Sequence, residues 1–155
     1  MTLIAKSAKE TALDQQTYQI FPDDLNPNGS LFAGRVMSLM DITAYTIATA
    51  HCGYNCVTAH IDNIDFILPA YLGDKILIYG SINRTWRTSM EVGVRVCKQS
   101  MYGGEMAQIL KAYFIMVAVD ADGKPMPVPE ILVETPLEKR RFAEAQLRRE
   151  IRAKR

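Results

Sequence analysis

The chain has 155 residues, 48% of them hydrophobic and 23% charged, and a formal net charge of +1. That length suits one domain with a real core, and the near-neutral balance argues against a general nucleic-acid binder. No stretch approaches the ~20 continuous apolar residues of a membrane span, and residues 1–16 lack the apolar core of a signal peptide, so a cytoplasmic protein without a membrane partner is expected. Three cysteines, Cys52, Cys56 and Cys97, form an odd set in a domain that needs no staples, and reduced thiols are expected.

In chain order, residues 1–16 read as a flexible polar arm. Residues 17–21 carry β-branched and aromatic side chains up to Pro22, the pattern of a short strand. A loop rich in Asp, Asn, Pro and Gly follows, through Asn26, Asn28 and Gly29. From Val36 to Ala50 every residue is apolar, small or hydroxylic except Asp41, which predicts a helix wrapped by protein on all sides. A carboxylate in such surroundings is costly unless paired, hydrogen-bonded or protonated. Gly53, Tyr54 and Asn55 end the helix.

Val57, Ala59 and Ile61 then alternate on one strand face, but Ile64, Phe66 and Leu68 resume one position out of phase. Such a slip predicts a β-bulge near Asp62 and Asn63. Two half-buried strands follow the loop at residues 69–74, one with Ile76, Ile78 and Ile82 alternating with polar residues, the other with Met90, Val92, Val94 and Val96. Residues 106–119 read as an inner strand. The tail, residues 137–155, holds eight basic and three acidic residues, so it carries +5 and the rest of the chain −4. It reads as a charged helix docked through Phe142, Leu147 and Ile151 and supported by pairs such as Glu144 with Arg148; the sharper alternative brings its arginines to phosphates of a ligand or partner.

The resulting architecture is an α+β domain over residues 17–136, a long central helix wrapped by a curved antiparallel sheet, with a separate basic C-terminal helix. If the helix starts near Leu31, Asp41 lies about 15 Å along its axis at ~1.5 Å per residue. That is too far for easy contact with Asn26, so a site using both needs a second copy of the chain, related by a twofold axis.

The run Pro22 to Gly34, followed by Met40-Asp41, resembles the start of the hotdog-fold acyl-CoA thioesterases, particularly the cytosolic acyl-CoA hydrolases and their single-domain bacterial relatives. The likeness continues through residues 57–66, Pro69, Gly73-Asp74, residues 87–92 and residues 117–125. Several motifs in order are more specific than any one of them. The resemblance implies hydrolysis of acyl-CoA to fatty acid and CoA, with CoA a part of the substrate and no separate cofactor. It places the catalytic Asn on Asn26 and the catalytic Asp on Asp41, from different subunits, and suggests a trimer of dimers, a hexamer. It places CoA near Arg87 and Ser89. The family's His-Gly-Gly or Phe-Gly-Gly element reads Phe32-Ala33-Gly34 here, and a φ above zero at Ala33 would be disfavoured.

The chemistry asks for the same residue types. A thioester needs oxyanion donors, and N–H groups at a helix N-terminus near Gly34 supply them. Asn26 orients a carbonyl or water without adding charge, and Asp41 serves as general base or as nucleophile. Met40 and Phe66 are candidate walls of an acyl channel, with plain core residues as the alternative. Turn-making is a sufficient reason for Asn26 and Asn28, capping a neighbouring loop for Asp41, and donor satisfaction at the bulge for Asp62 and Asp65.

Other constellations compete. His51, Cys52, Cys56 and His60 superficially resemble a zinc site, but His51 and Cys52 are adjacent and His60 falls mid-strand, so no metal is expected. A dehydratase on the same fold would need a His at the start of the helix, and His51 is at its end. A regulator that binds acyl-CoA without cleaving it is the principal alternative.

Overall fold

The computed structural model describes residues 2–155. Five strands form one antiparallel sheet in the order β2-β4-β5-β6-β3: β2 (Leu13–Gln19), β3 (Asn55–Phe66), β4 (Asp74–Thr85), β5 (Ser89–Ser100) and β6 (Ala107–Val119). Helix α1 (Ala33–Cys52) crosses one face and helix α2 (Pro136–Ala153) covers the other. Two short strands, β1 (Lys6–Ser7) and β7 (Ile131–Leu132), pair in parallel beside it. This is a hotdog fold, as the sequence led us to expect. Among the described residues, no helix is long and apolar enough to cross a membrane.

The core lies between α1 and the sheet. Val36, Met40, Ala44 and Ile47 meet alternate sheet residues, among them Ile78, Val92, Val94, Phe114 and Met116, all essentially excluded from solvent. Gly80 lets the two layers approach, because a Cβ there would come within 2.7 Å of Ile47 Cδ1. Gly53, in the left-handed conformation with φ 76°, ends α1 as expected. The predicted bulge is present: the β3–β6 register shifts between Asp62 and Asp65, with Asn63 at φ 57°.

Several expectations need correction. The segment read as an arm carries β1, a 3-10 turn at Ala8–Glu10 and the first half of β2, which starts at Leu13 instead of residue 17. A bulge at Gln15, φ 53°, breaks the alternation that would have revealed the strand. Helix α1 starts at Ala33, close to the expected start near Leu31, but it is not wrapped on all sides: Ile42 is 52% and Tyr45 43% exposed. Strands β4 and β5 are not half-buried, since α2 roofs their outer face and Glu91 is fully buried.

The docking face of α2 also differs from the expected stripe. Leu147 and Ile151 point to solvent, whereas Ala145 is fully buried and Arg148 and Arg152 turn toward the sheet. Arg84 stacks on Phe142 at 3.9 Å, and Trp86 Nε1 donates to Gln146 Oε1 at 3.0 Å. Arg148 pairs with Glu91 across the layers and not with Glu144, which instead meets Arg140 at 3.6 Å. The helix is launched by a capping box in which Glu138 N–H donates to Thr135 Oγ1 at 3.1 Å, with Pro136 at its first position.

Candidate active site

The loop before α1 is shaped by Asn26. Its Oδ1 accepts from the N–H groups of Asn28 at 2.9 Å and Ser30 at 3.2 Å, and its Nδ2 donates to Ser30 Oγ at 2.9 Å. The turn-making role expected of Asn26 is therefore real, and it holds the amide in one orientation. The loop is pinned to its surroundings by Leu31 N–H on Ala70 O at 2.7 Å and by Arg35 Nε on Asp24 Oδ1 at 3.0 Å.

At the start of α1, Phe32 O accepts from Arg35 N–H at 3.0 Å and Val36 N–H at 3.3 Å, while no hydrogen bond among the described residues engages the N–H of Ala33 or Gly34. These two donors sit at the positive end of a 20-residue helix. Ala33 is its first residue and has no positive φ; Gln15 and Asn63 are the sole non-glycine residues that do among those described. Alanine therefore fits there without strain. Gly34 leaves room for the Phe32 ring: a Cβ there would lie 2.5 Å from Phe32 Cε1, so the ring would have to shift.

Asp41 is half-buried on α1 instead of enclosed, because the open side of the helix reaches it. Its Oδ1 accepts a 2.6 Å hydrogen bond from Thr58 Oγ1 on β3, and Thr58 also touches Met116 Sδ at 3.4 Å. Sequence reasoning missed Thr58. The available signal was its place two residues after Cys56, on the strand face that meets the helix.

A cleft of about 340 Å³ opens beside Asn26, lined by Ser30, Ala33, Val36, Phe66 and Ile109 among others. Of the expected site residues, Asn26 and Phe66 meet there. Asp41 does not line it. Met40 is fully buried in the core instead of walling a channel. Arg87 and Ser89 lie at the β4–β5 connection, where Arg87 O accepts from Val128 N–H at 3.0 Å and Ser89 O from Trp86 N–H at 2.8 Å. A second cleft, about 350 Å³, lies on the outer sheet face between α2 and the N-terminal segment.

The His and Cys residues serve separate contacts. His51 is fully buried with Nε2 2.8 Å from Pro129 O, and burial lowers its pKa against the opposing effect of that hydrogen bond. Cys52 and Cys56 are free thiols whose sulfurs stand 3.4 Å apart, and hydrogen bonding from Cys56 pushes Cys52 down to about 6 while Cys56 is pushed up. His60 contacts Asp62 Oδ1 at 2.7 Å on the outer face. Among the described residues, no three His, Cys, Asp or Glu side chains gather as metal ligands.

Residues 28–105 match the family described as the thioesterase superfamily. An uncharacterized acyl-CoA thioester hydrolase of Bacillus subtilis is 36% identical over 120 residues, 77% of this chain and 70% of that protein. A solved apo-hexameric acyl-CoA thioesterase superposes with TM-score 0.92 at 38% identity, covering 97% of both chains. The acyl-CoA hydrolase of Staphylococcus aureus, solved with butyryl-CoA, CoA and CoA disulfide, superposes with TM-score 0.88 at 31% identity over 96% of this chain and 90% of that one. Further structures of that enzyme have an aspartate, an asparagine or a threonine replaced by alanine. The shared fold and this extent of identity place the chain in the thioesterase superfamily, as a hotdog-fold thioester hydrolase.

Proposed function

We propose that the protein hydrolyses acyl-CoA to a free fatty acid and CoA, in the cytoplasm, at sites that each join two copies of the chain. Asp41 and Thr58 come from one copy; Asn26 and the start of α1 come from the other. The observation that carries this reading is the separation of the two halves. From Ala33 to Asp41 is about 12 Å along the helix, and the Asn26 cleft does not include Asp41. Strand β3, which carries Thr58, pairs only with β6 among the described residues, so one of its edges is free for a second copy. The open side of α1 lies next to it. We extend the assembly to a trimer of dimers, in keeping with the hexameric relative.

The S. aureus variants support the choice of residues. The asparagine, aspartate and threonine replaced in that enzyme are spaced 15 and 17 positions apart, as are Asn26, Asp41 and Thr58.

In this site the thioester oxygen rests on the free N–H groups of Ala33 and Gly34, where negative charge builds as the carbonyl is attacked. Asn26 holds the carbonyl or the water. Thr58 occupies one oxygen of Asp41 and leaves the other to take a proton from water; direct attack by Asp41 is the alternative step. Water and the thioester are the only reactants, so no cofactor is required. Arg87 and Ser89 are assigned to the CoA moiety, an arginine being well suited to phosphate.

The test is release of free thiol from a panel of acyl-CoAs by the wild type, by Asn26→Ala, by Asp41→Ala, and by the two variants coexpressed. Wild-type turnover, loss in each variant and recovery in the coexpressed mixture are expected. Binding without thiol release would favour the non-catalytic regulator, and a dead mixture of two separately dead variants would return the whole site to one chain.

A further inference from the structure

Two buried thiols outside the site lie side by side where α1 hands over to β3. Cys52 is the last residue of α1 and Cys56 the second of β3; they are 7% and 4% exposed, and their sulfurs stand 3.4 Å apart. Cys97, on β5, is also a free buried thiol, but no hydrogen bond joins it to another sulfur among the described residues. The turn at Cys52 favours an ionised sulfur. Tyr54 N–H donates to Cys52 Sγ at 3.4 Å. Lys6 Nζ donates to Ala50 O at 3.2 Å and to His51 O at 2.8 Å, covering the carbonyl end of α1 that would otherwise repel a thiolate. The hydrogen bond from Cys56 outweighs burial and brings Cys52 down to about 6, and the Lys6 charge acts in the same direction. A thiolate with a second thiol beside it is the arrangement that oxidises reversibly.

We propose that Cys52 and Cys56 are a reversible oxidation site, closing to a disulfide with hydrogen peroxide as oxidant and slowing hydrolysis while closed. The Cys52 thiolate attacks one peroxide oxygen and the O–O bond breaks, leaving a sulfenic acid on Cys52 and a hydroxide that takes up the proton Cys52 gave up. Cys56 then attacks the Cys52 sulfur and loses its proton as the sulfenic hydroxyl departs as a second water. Two thiols and one peroxide thus give one disulfide and two waters, the sulfurs oxidised and the oxygens reduced. Bonded sulfurs stand ~2.04 Å apart, so closure draws this pair together by about 1.4 Å. The same two elements are tied by Tyr45 Oη donating to Asn55 Oδ1 at 2.9 Å and by Thr58 Oγ1 donating to Asp41 Oδ1 at 2.6 Å. Thr58 follows Cys56 by two positions on β3, so the pull reaches the hydrogen bond that orients Asp41. The effect on turnover rests on the thioesterase reading; the disulfide itself does not. A transient disulfide of this kind suits a reducing compartment, where lasting ones are rare.

The experiment treats the protein with hydrogen peroxide, removes the oxidant, maps cross-links by mass spectrometry and follows turnover of acyl-CoA by loss of thioester absorbance. A disulfide between Cys52 and Cys56 is expected, with Cys97 still open to alkylation after unfolding. With it kcat falls roughly threefold or more while KM changes little, and dithiothreitol restores the rate. Cys52→Ala and Cys56→Ala keep reduced-state activity within about twofold and lose the peroxide response, whereas Cys97→Ala, equally a change at a buried cysteine, keeps it. Absence of the cross-link in the wild type overturns the inference, as does peroxide inactivation that persists in Cys52→Ala, or a disulfide that leaves kcat unchanged. If the reduced wild type cleaves no acyl-CoA, the thioesterase reading falls and the effect on turnover with it, while the mass map still decides whether the disulfide forms.

Discussion

Thr58 Oγ1 donates to Asp41 Oδ1 at 2.6 Å, joining the middle of α1 to the edge strand β3. A hydrogen bond to a charged acceptor is worth about 1.5–3 kcal/mol, and here it also fixes which carboxylate oxygen faces outward. Thr58→Ala is expected to lower kcat by roughly ten- to a hundredfold, with a smaller change in KM, while Thr58→Ser retains most activity. Steady-state kinetics on one good acyl-CoA checks both; equal losses in the alanine and serine variants would detach Thr58 from the chemistry.

Gly34→Ala places a methyl group against the Phe32 ring. That ring is exposed, so it moves aside at small cost to folding, but it moves at the mouth of the site. A thermal midpoint close to that of the wild type, combined with a large loss of kcat/KM, is the expected result. Adding Phe32→Ala removes the collision and recovers part of the loss. Thermal melts run alongside the kinetics separate this from simple unfolding.

Glu91 and Arg148 are almost wholly removed from solvent and meet through two hydrogen bonds of 2.6 and 3.0 Å. Asn83 Nδ2 adds a third contact to the carboxylate at 2.9 Å. Removing one member of a buried pair leaves the other charge uncompensated, at about 3–5 kcal/mol. Arg148→Ala is expected to lose that much in urea unfolding. Glu91→Leu combined with Arg148→Met loses clearly less, and a double variant as unstable as the single one would show that packing, not charge, dominates.

Acid unfolding is expected in two stages. His51 is buried and its Nδ1 has no partner, so burial lowers its pKa from 6.5 and the folded protein resists protonating it. The unfolded chain takes up that proton as pH falls below 6.5, so stability present above that pH declines below it, by at most ~1.4 kcal/mol per pH unit. Burial would raise Asp62, but hydrogen bonds from Arg152 and His60 prevail and hold it below 3.8. Its contribution is complete above that pH and is lost as pH falls further. Urea midpoints measured from pH 7.5 to 5 are expected to slope in the wild type and to flatten in His51→Gln.

Much of the fold was legible because its signals are local. The unbroken apolar run around Asp41 marked α1, Gly53 marked its end, and the phase slip after Ile61 marked the bulge at Asn63. What was hidden depends on contacts between distant segments. Glu91 looks like the polar face of a half-buried strand until Arg148 arrives from α2, 57 residues later. Leu147 and Ile151 suggested the docking stripe of α2, but charges already buried in the sheet selected the arginine face. At the candidate site, Asp41 was visible as a charge out of keeping with its apolar surroundings and Asn26 through the family resemblance of its loop, whereas Thr58 is an ordinary strand residue until the helix sets a carboxylate beside it.

The roof formed by α2 also bears on how this protein tolerates editing. Arg148 is the covalently tethered counter-ion of a carboxylate at the centre of the sheet, and Arg152 does the same for Asp62 near its edge. A chain cut before Thr135 keeps every strand and all of α1, yet it deprives Glu91 of its counter-ion and leaves Asp62 with His60 alone. Shortening from this end is therefore an electrostatic operation on the middle of the molecule, whereas extension beyond Arg155, which is exposed, leaves both pairs untouched.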